Sequence, residues 1–188
     1  MKKKLEDYVV IIKEVVPKKL YNKAVKELKE VSWQQHYFYS HKTGERNALS
    51  KEKELDFSFD YISSHDEIMM CVWQSIGKYL EYYQFPWYNG WNGHSSLKYN
   101  KYKKGTLMSE HCDHIQDMFE GERRGIPVLS CIGALNDNYE GGEFIMFKDK
   151  KYKFNAGDII IFPSNFLYPH RVEEVTKGTR YTYVSWVY

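Results

Sequence analysis

Long apolar runs are missing from this chain of 188 residues. No stretch approaches the roughly 20 residues that a membrane span needs, so no membrane partner is expected. Cysteine is scarce. Cys71, Cys112 and Cys131 are an odd number without a repeating spacing, which excludes a disulfide framework. An excess of one charge sign is lacking too, since 27 Lys and Arg stand against 25 Asp and Glu. Such a balance offers no polybasic surface for a nucleic-acid backbone, and a polynucleotide partner is disfavoured. The start is basic, but Glu6 and Asp7 interrupt any secretory signal core, so the expected location is a reducing cytoplasm. Repeats, low-complexity tracts and linkers are absent, and one domain is expected over 1–188. Aromatic residues, by contrast, are abundant: they make up 17%, with 17 Tyr.

Residues 7–16 are rich in Val and Ile and read as a strand. Pro17 suits the first turn of a helix, and Leu20, Tyr21, Ala24, Val25 and Leu28 draw one helical face over 18–30. The polar segment 41–55 reads as an exposed loop. A second helix is expected over 64–83, with Ser64 and Glu67 as a capping box. After Phe85 the pattern changes to short strands between turns, at 95–102, 106–113, 128–136, 143–147, 151–154, 158–162, 170–175 and 180–188. Two helices followed by eight strands predict a mainly β, α+β fold. Its core is a jelly roll (a double-stranded β-helix, cupin-like) over 94–188, supported by the strand and helices of 1–93.

The sharpest local feature is His111-Cys112-Asp113. On a strand, residues two apart share a face, so an imidazole and a carboxylate point to one place. His170, opening a late strand after Pro169, is the natural third ligand. Two histidines and a carboxylate make the facial triad of non-haem Fe(II) oxygenases. A lone His-x-Asp is also a common surface pair, so more is needed. Arg180 supplies it: an arginine pointing into an apolar barrel needs an anion, and its fork suits a carboxylate. A salt bridge to a neighbouring Glu or Asp is the alternative. Thr182 shares its face and offers a hydroxyl, or serves only as a β-former. Cys112 and His114 would face away from His111 and Asp113, with no CxxC partner for zinc.

Taken in order, a longer set of residues resembles a known family. Lys101-Tyr102-Lys103-Lys104-Gly105 precedes His111-Cys112-Asp113. Leu135-Asn136-Asp137 and Tyr139-Glu140-Gly141-Gly142-Glu143 follow, then Ala156-Gly157-Asp158, Phe162-Pro163 and His170-Arg171-Val172. The set closes with 175–181 and Trp186. From about residue 95 onward the chain resembles the 2-oxoglutarate- and Fe(II)-dependent dioxygenases, in their prolyl 4-hydroxylase-like branch. The resemblance implies Fe(II) on His111, Asp113 and His170 as the catalytic centre. It implies 2-oxoglutarate on Arg180 with Tyr102 in the same pocket, and O2 as oxidant. It implies hydroxylation of a C–H bond, most simply on a prolyl residue, with release of succinate and CO2 and with ascorbate as a candidate reductant. The chain departs from the family at Met108 and at Gly133-Ala134, where tyrosines are common; each missing phenol is expected to widen the cavity.

Trp87, Tyr88 and Trp91 lie in a Gly-rich turn. They either cover the helices or wall a groove for a peptide or protein substrate. The segments 41–55 and 114–126 are the candidate lids, and Arg123 in the second could meet an acidic substrate. An oxygenase acting on a small molecule or nucleic-acid base, and a jelly roll that binds without turnover, are the rival readings.

Overall fold

The computed structural model describes residues 3–36, 38–40, 45–47, 53–84, 93–113 and 127–188, with backbone alone for 38–40 and 45–47. A 3-10 turn, Leu5–Tyr8, leads into β1 (Val10–Ile12). The strand expected over 7–16 is therefore shorter. The Lys4 amide donates to the Asp7 carboxylate at 2.8 Å, which favours a turn, and Glu14 takes a positive φ of 53° that ends the extended run. α1 (Lys18–Glu27) follows Pro17 and buries Leu20, Ala24 and Leu28. Short strands β2 (Gln34–Gln35), β3 (Phe38–Ser40), β4 (Glu45–Asn47) and β5 (Asp56–Ser58) come next. β3 and β4 pair with each other, so part of the expected 41–55 loop is strand.

α2 (His65–Tyr83) starts without the expected capping box. The Ser64 hydroxyl donates to Glu27 of α1 instead. That carboxylate also accepts the Ser63 hydroxyl at 2.5 Å and the Ser64 amide at 3.1 Å. A charged acceptor on a neighbouring helix outcompetes the local cap, because charge-assisted bonds are about twice as strong as neutral ones. No helix among the described residues is long and apolar enough to cross a membrane.

The rest is β: β6 (Lys98–Lys103), β7 (Met108–His111), β8 (Leu129–Ala134), β9 (Tyr139–Gly141), β10 (Phe144–Met146), β11 (Lys150–Tyr152), β12 (Ile159–Pro163), β13 (His170–Val172) and β14 (Val175–Val187). The larger sheet runs β1-β12-β8-β14-β6-β5-β2, with β9 paired to β14; the smaller runs β11-β10-β13-β7. All of these pairs are antiparallel. The fold is the expected jelly roll on two helices.

Period-two alternation divides the core in two. Tyr181, Tyr183 and Val187 of β14 join Tyr99 and Cys131 against α1 and α2, whereas Val184 and Trp186 face the second sheet with Tyr102, Ile132, Phe144 and Phe162. The tyrosine excess is largely core filling: Tyr79, Tyr99 and Tyr183 are among the largest fully buried side chains. Their hydroxyls need partners, and Tyr79 donates to the Tyr8 carbonyl at 2.9 Å.

Asp158 pins β1 to the sheet. Its buried carboxylate accepts the Glu14 amide at 2.9 Å, the Asn155 amide at 2.8 Å and the Lys13 ammonium at 2.7 Å. Burial alone would raise its pKa, but these donors outweigh it and hold the acid below its ordinary value. Stability from this group is therefore full above the unfolded pKa and is lost as pH falls through the folded one. Lys13 is half-exposed and screened, so the two amides carry most of the effect. Asp158→Ala is expected to cost about 2 kcal/mol at pH 7. That corresponds to a fall of roughly 4–8 °C in Tm. Thermal melts on a pH series check this, because the gap to wild type should close in acid.

Candidate metal centre

β7 and β13 pair with His170 opposite His111, which sets the two imidazoles 4.3 Å apart between ring centroids. Asp113 lies two residues past His111, just beyond the end of β7. The Asp113 Oδ1 atom is 3.5 Å from His111 Nε2 and 3.7 Å from His170 Nε2. One ligand atom from each residue lies within 4.8 Å of the other two.

Each member is held from behind. His111 Nδ1 is 2.8 Å from the Ser109 carbonyl and His170 Nδ1 is 3.2 Å from the Tyr168 carbonyl. A proton on Nδ1, donated to those carbonyls, leaves both Nε2 lone pairs facing Asp113. Asp113 Oδ2 accepts the Ser130 hydroxyl at 2.5 Å, and Ser130 in turn meets Ser164. Phe144 and Phe162 pack against His170 at 5.3 and 5.1 Å between ring centroids. Burial, with His111 adding to it, pushes His170 down to about 4, so it stays neutral at pH 7. Burial would raise Asp113, but the Ser130 hydroxyl donates to its carboxylate and the acid lies below its ordinary range. Two imidazoles and one carboxylate are the donor set suited to a divalent first-row metal with open positions.

Arg180 reaches the same cleft from β14 and is 3% exposed. Its guanidinium lies over Tyr102 at 4.9 Å, and its Nε donates to the Tyr139 hydroxyl at 3.3 Å. Among the described residues no Asp or Glu pairs with it. Thr182, on the same face, is fully buried, and its hydroxyl oxygen has no partner among the described residues. A buried cation and a free hydroxyl side by side are costly unless an anion meets them, which fits an organic carboxylate. A second cavity of about 560 Å³ shares Arg180 and Phe144 with the metal cleft.

The two departures resolve differently. Met108 lines the cleft, and its sulfur receives the Tyr102 hydroxyl at 3.8 Å. Gly133 faces the other way. A Cβ there would stand 2.0 Å from Cζ of Tyr183, whose ring fills the space, so a missing phenol at Gly133 does not widen the cleft, whereas Ala134 is buried on the opposite face with Tyr102 and Ile132. Cys112 lies outside the ligand cluster, with its thiol toward the Phe166 carbonyl. His114, Trp87, Tyr88, Trp91 and Arg123 lie outside the described residues. Sequence reasoning missed Lys98, Asn100 and Trp186, which line the cleft, and Ser130, which holds Asp113. Continuing the Arg180–Thr182 alternation along β14 would have reached Trp186.

Residues 97–188 match the 2OG-Fe(II) oxygenase superfamily. A PKHD-type hydroxylase of Crocosphaera subtropica is 37% identical over 100 residues, covering 50% of this chain and 42% of the relative. This chain thus covers less than half the length of the curated relatives it matches. Among solved structures, a Trichoplax adhaerens prolyl hydroxylase bound to a hypoxia-inducible-factor peptide superposes with TM-score 0.73 at 12% identity, over 96% of this chain and 83% of that one. A Pseudomonas putida prolyl-4-hydroxylase gives 0.66 at 17% identity, over 96% and 91%. At these identities the likeness is one of fold.

Proposed function

We propose, from the premise that residues 97–188 are a 2OG-Fe(II) oxygenase domain, that the protein hydroxylates a C–H bond of a peptide or protein substrate, with a prolyl residue as the leading target. The observation that carries the reading is the convergence of His111, Asp113 and His170 beside a buried arginine that has no carboxylate partner among the described residues. The prolyl hydroxylases among the similar folds support the substrate class. Ascorbate as reductant, a single domain over 1–188 and a reducing cytoplasm belong to the same reading, and the three free cysteines are consistent with the last.

His111 and His170 would hold Fe(II) through Nε2, and Asp113 through Oδ1. Arg180 would take the distal carboxylate of 2-oxoglutarate, with Thr182 adding a hydroxyl and Tyr102 packing beside it. Bound iron supplies open positions for O2, and 2-oxoglutarate supplies the electrons as it becomes succinate and CO2. The chain's own work is positional. The Ser109 and Tyr168 carbonyls fix the imidazole tautomers, Ser130 fixes Asp113, and Phe144 and Phe162 keep water from His170.

The test is succinate formation from 2-oxoglutarate with Fe(II) and ascorbate, together with a peptide library read by mass spectrometry. Succinate that disappears on chelation, and peptides gaining one oxygen atom, are expected. Equal succinate from wild type and from His111→Ala with adequate iron would remove the oxygenase reading.

A further inference from the structure

Two donors in the metal cleft are used by nothing described so far. Lys98 opens β6, half-buried, and lines the cleft with His111, Asp113 and His170. Its ammonium lies 4.8 Å over the Phe57 ring. Six other lysines, at 13, 23, 103, 150, 151 and 177, each reach a carboxylate within 4.0 Å; Lys98 reaches none among the described residues. Trp186 lies on the neighbouring strand and lines the same cleft, its indole N–H buried without a partner among the described residues. Register places the two close together: Val184 pairs with Lys98, and Trp186 stands two residues further on the same face. An ammonium and an indole N–H donate and cannot accept. Leaving the buried indole N–H without an acceptor is unfavourable, and the half-buried ammonium beside it favours an acceptor that is an anion.

Neither nearby carboxylate serves. Asp113 is taken by Ser130 and faces both imidazoles, and Glu54, whose buried carboxylate oxygens have no hydrogen-bond partner among the described residues, lies beside His36 at 3.8 Å and reaches neither Lys98 nor Trp186. The distal end of the cosubstrate belongs at Arg180, four residues along β14 from Val184, roughly 13 Å of strand away. Trp186 instead pairs with Ser130, the residue that holds Asp113, so the two free donors stand at the metal end.

We propose that Lys98 and Trp186 form a specificity site that binds a carboxylate of the substrate next to the carbon being hydroxylated. The inference rests on the oxygenase reading above and narrows its substrate class: a peptide with Asp or Glu beside the target residue, or one whose target residue ends the chain. Lys98 supplies the charge. Trp186 supplies a fixed second donor, and the Phe57 ring lies under the ammonium.

The test measures binding, so it does not depend on turnover. Full-length protein loaded with Zn(II) and 2-oxoglutarate is titrated with fluorescently labelled prolyl peptides, read by anisotropy. One has Glu after the proline, one ends in a free prolyl carboxylate, and matched controls carry Gln or a terminal amide. At least one acidic peptide is expected to bind roughly tenfold to a hundredfold more tightly than its neutral control, and which one does so identifies the source of the carboxylate. Lys98→Gln should shrink that ratio to near one, Lys98→Arg should keep most of it, and Trp186→Phe should reduce it partly. Trp186→Phe also keeps the test alive if Lys98→Gln fails to fold. Equal binding of acidic and neutral peptides to wild type, no peptide binding, or a preference that survives in Lys98→Gln would overturn the proposal. So would a parallel loss of 2-oxoglutarate binding in Lys98→Gln, which would assign the lysine to the cosubstrate. Iron-dependent succinate release is measured separately: its absence with the preference intact sinks the oxygenase reading alone, and its presence with no preference sinks this inference alone.

Discussion

Asp113→Ala is expected to lower iron-dependent succinate release by more than ~100-fold while leaving a folded protein. The magnitude follows from what the carboxylate does. It is the only anion in the ligand cluster of the described residues, and both imidazole Nε2 atoms aim at its Oδ1. Without it, two histidines would face the metal alone, and affinity for a divalent ion falls because charge neutralisation is lost as well as one bond. The second oxygen makes the effect graded. Ser130→Ala leaves all three ligands in place but frees Oδ2 from its 2.5 Å donor, so Asp113 is free to rotate. Loss of such an outer partner typically costs about 10–100-fold in metal affinity or activity. Co(II) titration followed by visible absorption separates the two variants. Asp113→Ala should bind cobalt far more weakly, whereas Ser130→Ala should bind it with a modest shift. Equal cobalt affinity in Asp113→Ala and wild type would show that this cluster does not hold the metal.

The parts of the centre legible in the sequence are those with a local rule. His111 and Asp113 share a face because strand side chains alternate, and Arg180 stands out because a cation on an inward position needs a partner. Trp186 lies within reach of the β14 alternation, whereas Ser130 and Lys98 carry no such local mark. Their place in the cleft depends on β8, β14 and β6 lying side by side in one register, which no short window contains. The fold divides in the same way. Turn residues punctuate 94–188 well enough to mark eight strands, but β9 is three residues long and set between glycines and polar residues, too short to show a period. Ser64 is the converse case: a correct local rule overruled by Glu27, which is distant in sequence and reaches Ser63 and Ser64 across the helix pair.

Gly133→Ala should be among the most destabilising single substitutions in the molecule, although it adds one methyl group and lies away from the metal. Its Cβ would stand 2.0 Å from Cζ, 2.2 Å from the hydroxyl oxygen and 2.4 Å from Cε1 of Tyr183. Tyr183 is fully buried and belongs to the cluster that packs β8 and β14 against α2. A flexible chain end could swing aside, but a ring held between a sheet and a helix has no open side to turn to. Overpacking of this kind costs about 1–3 kcal/mol and occasionally more; contact this close places the variant at or above the upper end. For a chain of this size that means a fall in Tm of roughly 6–12 °C. The cause can be isolated by changing the ring. Tyr183→Leu alone opens a cavity and should destabilise by a few kcal/mol. Combined with Gly133→Ala it gives the new methyl somewhere to go, so the double variant should be more stable than the sum of the singles predicts, by about 1 kcal/mol or more. Strict additivity in thermal or urea melts would mean that the ring does not occupy the space in front of Gly133. The glycine and the tyrosine thus act as one packing unit: the small residue on β8 exists for the large one on β14.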